Sequence, residues 1–100
     1  MDTKVVKMKG GRYHLARVPD GVGDSGMFLC SLNPETHERV GENGEVHLGA
    51  RVQCGSHFAR TYQHQDWWMT SVVTEFLEIS PEFDFVKFRT NNSIYELKSS

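Results

Sequence analysis

Apolar and polar residues alternate along most of this chain in short runs, and turn-forming residues interrupt each run. Thr3–Met8 is a short β-rich stretch that Gly10-Gly11 breaks. From Arg12 to Val18, Tyr13, Leu15 and Arg17 alternate with His14, Ala16 and Val18, which predicts a strand. A Gly-Gly link between two such runs suggests a hairpin. Residues 19–26, with three glycines, two aspartates and a proline, read as a loop. Met27–Leu32 predicts a third strand, ended by Asn33-Pro34. Glu35–Glu45 reads as a long turn with a short strand around Glu38–Val40. In Val46–Cys54, Val46, Leu48, Ala50 and Val52 point one way and His47, Arg51 and Gln53 the other.

Trp67–Ile79 supports two readings. As a strand, one face holds Trp67, Met69, Val73, Leu77 and Ile79. As a helix, Met69, Val72, Val73, Phe76 and Leu77 form one stripe, with Asp66 as cap and Pro81 beyond the end. The β-branched content of Thr70–Thr74 lowers helix propensity, so the strand is preferred. Phe85–Thr90 and Ser93–Lys98 predict two further strands. Asn91-Asn92 is the two-residue loop between them, with asparagine supplying the positive φ of a type I′ turn. Six or seven strands at intervals of roughly 8–14 residues predict an all-β fold, a small antiparallel barrel or sandwich. The alternative is α+β, with a helix at 67–79.

Length changes this picture little: 100 residues make one domain. Apolar residues are only 38% of the chain, and eleven aromatics offset the shortage. A net charge of −2 argues against a duplex-DNA binder, while leaving room for a local basic pocket. Two cysteines, Cys30 and Cys54, are few for a secreted scaffold and read as reduced thiols. The start has no apolar signal region, and no run approaches the ~20 apolar residues of a membrane span. A cytoplasmic protein is expected.

Thr70-Ser71-x-Val73, followed by Phe88-x-Thr90-x-Asn92-Ser93-x-Tyr95-x-Leu97, resembles small uncharacterised all-β proteins encoded by phages and bacteria. The resemblance spans about a third of the chain, and its motif consists of strand and turn residues. It implies an all-β fold and an accessory role of the phage type, in which a small protein blocks a host protein, as a host-defence inhibitor does, or sequesters a small signal.

The richest chemistry in the sequence lies between Cys54 and Ser71. Arg60 offers a planar fork for phosphate or carboxylate. Phe58, Tyr62, Trp67 and Trp68 offer faces on which a base can stack. Ser56, Thr61, Gln63 and Gln65 can read polar edges, and Thr70 and Asn92 can join them if the barrel mouth is near. This set points to a non-enzymatic binding protein for a small anionic, nucleotide-like ligand. The plainer reading has the aromatics plugging the end of the fold with Arg60 laid over them. A third has them anchoring a protein partner, as in a module that inhibits a larger enzyme, or a second copy in a homo-oligomer.

Cys54, His57 and His64, with Asp66 as a fourth group, could ligate zinc, but no second paired motif accompanies them. No cofactor is indicated. A Cys54–His57 nucleophile lacks an orienting third group, so catalysis is set behind binding. Gly21-x-Gly23-x-x-Gly26 has the spacing of a phosphate loop without the helix that loop requires. Glu75, Glu78, Glu82 and Asp84 read as a solvated edge.

Overall fold

The computed structural model describes residues 3–55 and 67–100. Their secondary structure is all β. The strands are β1 (Val5–Lys7), β2 (Tyr13–Val18), β3 (Gly23–Gly26), β4 (Phe28–Leu32) and β5 (Arg39–Val40). They continue with β6 (Glu45–His47), β7 (Arg51–Gly55), β8 (Trp67–Ile79), β9 (Phe85–Thr90) and β10 (Ile94–Ser99). Eight form an antiparallel sheet in the order β3-β2-β10-β9-β8-β7-β4-β5, and β1 pairs with β6 in a second sheet. The arrangement is sandwich-like and does not close into a barrel. No helix of the described residues is long and apolar enough to cross a membrane.

The large sheet folds over so that β3, at one edge, packs on β7 and β8. Leu15, Leu29, Val52, Val73, Val86, Phe88 and Leu97 are buried between the layers, joined by Val6 and Val46 from the small sheet. Ser31 couples the two sheets. Its Oγ donates to the Glu45 carbonyl (2.9 Å) and accepts from the His47 N–H (3.0 Å), closing an edge of β6 that would otherwise lack partners.

Trp67–Ile79 is a strand along its whole length, which overturns the helical alternative. Several further expectations are corrected. β1 pairs with β6 and makes no hairpin with β2. The Gly10-Gly11 link instead carries the chain across the end of β10, where Gly11 and Arg12 N–H groups both reach the Ser100 carbonyl (3.2 Å each). Gly10 has φ 89°, and a Cβ there would strike the Ser100 backbone.

Residues 23–26 are strand, although they read as loop. At Gly23 a Cβ would run into the Leu15 carbonyl, so the glycine lets β3 lie close on β2. The Val46–Cys54 alternation breaks into β6 and β7 around Gly49, at φ 85°. Leu48 there is exposed and does not continue the inward row. The 90–93 hairpin forms with Asn91-Asn92 as its loop, but neither asparagine takes a positive φ. Thr90 Oγ1 holds the turn by accepting the N–H groups of Asn92 (3.3 Å) and Ser93 (3.1 Å). The described strands number ten, beyond the expected six or seven, because short edge strands carry little periodic signal.

Candidate functional site

Outward parity on β2 and β10 gathers positive charge. Tyr13 and Leu15 turn inward, so Arg12 and His14 face out. Leu97 turns inward on β10, so Lys98 faces out, and the register sets Lys98 opposite His14. On the other side of β2, Ser25 of β3 also lies opposite His14. The Ser25 Oγ and His14 Nδ1 form a hydrogen bond.

These residues surround a cavity of about 390 Å³ on the β3–β2–β10 side of the large sheet. Its lining includes Arg12, His14, Ser25, Met27, Lys98 and Ser100, whose carbonyl accepts from the Gly11 and Arg12 N–H groups, and no Asp or Glu side chain. The nearby Tyr13 hydroxyl is engaged, donating to the Gly10 carbonyl (3.1 Å). Ser99 Oγ, by contrast, is the one buried polar side-chain atom among the described residues without a hydrogen-bond partner. The arrangement offers an Arg fork, an ammonium and an imidazole around one concavity, which is a donor set for an anion.

Within the Cys54–Ser71 segment singled out by the sequence, Cys54 lies opposite Trp68 and Gly55 opposite Trp67. Ser56, Phe58, Arg60, Thr61, Tyr62, Gln63 and Gln65 lie outside the described residues, as do His57, His64 and Asp66. Trp67 is half-buried at the start of β8. Trp68 packs against the core, and its Nε1 donates to the Tyr95 hydroxyl (3.1 Å). The Arg17 guanidinium lies 5.6 Å from the centre of the Trp68 ring. Arg17 also grips Asp20, with Nη2 at 2.7 Å from Oδ2 and Nε at 3.2 Å from each carboxylate oxygen. Those hydrogen bonds hold the Asp20 carboxyl below, and the Arg17 guanidinium above, their ordinary values.

Thr70 is buried with its hydroxyl used in both senses. It accepts the Val52 N–H (3.1 Å) and donates to the Ser71 carbonyl (2.6 Å). Asn92 is exposed, and its Nδ2 donates to Ser71 Oγ (2.8 Å), which lies 3.5 Å from Thr90 Oγ1. The strand and turn residues of the C-terminal third therefore do scaffold work. Val73, Phe88 and Leu97 fill the core, Thr70 and Ser71 support a bulge, Thr90 and Asn92 brace a turn, and Tyr95 orients Trp68.

Cys30 and Cys54 are free, buried thiols. Burial pushes the Cys54 thiol up to about 12, with the Asp24 charge adding to it. A metal ligand must be the thiolate, which this surrounding disfavours. Among the described residues no group of three His, Cys, Asp or Glu side chains could hold a metal ion. The groove residues Arg12, His14 and Lys98 escaped sequence reasoning. Their one signal is outward parity on two strands, and only the β2–β10 register brings them together. No family model, curated protein or solved structure matches the chain.

Proposed function

We propose that this is a non-enzymatic binding protein that takes up a small anionic ligand in the Arg12–His14–Lys98 groove. The observation that carries the reading is a concavity whose lining holds Arg12, His14 and Lys98 and no Asp or Glu side chain. In a chain of net charge −2 this is a local concentration of positive charge, which attracts an anion. The phage-type resemblance suggests a use for such a site: an accessory protein of this size would act by sequestering the ligand.

The site differs from the Cys54–Ser71 segment first indicated by the sequence. Trp68 and Thr70 are already committed to internal contacts, so they do not enter the proposed ligand set. Isothermal titration with inorganic phosphate and simple carboxylates tests the reading. Wild-type protein should bind at least one of them, more weakly as salt rises. Charge-assisted hydrogen bonds contribute about 1.5–3 kcal/mol each, so Arg12→Ala with Lys98→Ala should reduce affinity by a factor of roughly a hundred or more. Binding that ignores both salt and the double substitution would place the anion elsewhere.

A further inference from the structure

The groove offers more than charge. Met27, between β3 and β4, lines it and is 62% exposed, the most exposed of the large apolar side chains among the described residues. An uncovered thioether beside a cationic seat is a surface for a flat ring, because sulfur–aromatic contacts are favourable and the unbranched side chain adapts to its partner. Ser25 engages His14 through Nδ1, which leaves Nε2 for the ligand. The cavity, at about 390 Å³, falls within the ~300–1,000 Å³ typical of small-molecule sites. A lone phosphate ion would leave most of it empty.

Resting on the anion-binding reading, we infer that the ligand is a phosphomonoester with an attached flat ring, of the nucleoside monophosphate class. Its phosphate sits between Arg12, His14 and Lys98, and its ring lies against Met27. A dianion matches two permanent cations and an imidazole better than a single carboxylate does. The Arg12 fork takes two phosphate oxygens, and Lys98 acts as a point charge on a third.

The test is a titration of wild-type protein, Met27→Ser and the Arg12→Ala/Lys98→Ala double variant. The probes are inorganic phosphate, the four ribonucleoside 5′-monophosphates and the corresponding nucleosides. Melting curves establish that each variant is folded; Met27 is exposed, so its replacement should leave the fold intact. At least one monophosphate should bind tenfold or more tightly than inorganic phosphate and than its own nucleoside. Met27→Ser should weaken that monophosphate by roughly two- to tenfold and leave phosphate unchanged. The double variant should lose both. If phosphate and monophosphates bind equally and Met27→Ser changes neither, the ring seat is wrong while the anion site stands. If nucleosides bind as well as their monophosphates, the phosphate seat is wrong. If no probe binds, the anion-binding reading itself fails, and this inference with it.

Discussion

Thr70 shows how one side chain can stabilise an irregularity. β8 carries an extra residue opposite the Arg51–Gln53 stretch of β7, and the ladder there loses its even spacing. The Val52 N–H, on a residue with no exposed surface, would then have no acceptor; Thr70 Oγ1 supplies one. Thr70→Val keeps the shape and removes the acceptor, and should destabilise the protein by about 1–3 kcal/mol in chemical denaturation. Thr70→Ser retains the hydroxyl and should cost less; equal losses for the two would mean that packing, and not the hydrogen bond, holds the bulge. Phe83 presents the opposite case, a bulky residue at φ 59° with its ring half exposed. That region costs an L-residue roughly 1–2 kcal/mol, and little packing offsets it here. Phe83→Gly should leave stability unchanged or raise it by about 1 kcal/mol, once the entropy of a freer unfolded chain is subtracted. A loss of more than that amount would show that the exposed ring makes a stabilising contact.

At the scale of elements, β8 explains both what could be read from the sequence and what could not. Its inward residues are Val73, Phe76 and Ile79, opposite Thr90, Phe88 and Val86. Regular strands place inward residues two apart; here they are three apart, because Thr74 and Leu77 lie at successive register shifts. A spacing of three is also the spacing of a helix face, which is why the pattern over 67–79 also fits a helix. The β-branched composition pointed to strand correctly, but the bulges were not visible in it. Where a strand keeps its period of two, as in β9 and β10, the sequence located it to within a residue. Where glycine made close packing necessary, as at Gly23, the same residue imitated a loop. The groove was invisible for another reason: Arg12 and His14 lie near one end of the chain and Lys98 near the other, so only strand pairing joins them. The bulge assignment can be tested by deletion. Removing Leu77 leaves Phe76, Glu78 and Ile79 facing in, out and in against Phe88, Lys87 and Val86. The core is preserved, and the variant should fold cooperatively with reduced stability. Removing Lys87 from the regular strand β9 forces Val86 or Phe88 out of the core, and should abolish cooperative unfolding. If the two deletions behave alike, the register shift is not where the pairing places it.

For the molecule as a whole, the ionisable groups that the fold perturbs set opposite ends of its pH range. Asp20, hydrogen-bonded to Arg17, and Glu45, hydrogen-bonded to His47 (2.8 Å), both have carboxyls held below their ordinary values of 3.8 and 4.5. A lowered carboxyl stabilises the fold above its ordinary value, and that contribution disappears as pH falls through the lowered one. Stability should therefore begin to drop below about pH 4.5, and Asp20→Asn with Glu45→Gln should flatten that acid limb. Both groups sit near the surface, so the effect is modest and weakens with salt. The alkaline limb follows the reverse sign. Cys54 is fully buried, and desolvation raises its thiol from 9.0 to about 12; Cys30 is raised in the same direction by the same cause. The fold thus favours the neutral thiol. The contribution is complete below about pH 9 and is lost as pH climbs toward 12, because the unfolded chain releases its proton first. Cys54→Ala should lower stability at every pH through lost packing, yet its stability curve should fall less steeply than that of wild type above pH 9. Parallel curves would mean that the thiol reaches solvent in the folded protein. In that case a thiol reagent would label Cys54 under native conditions, where the buried position predicts labelling only at the rate at which the core opens.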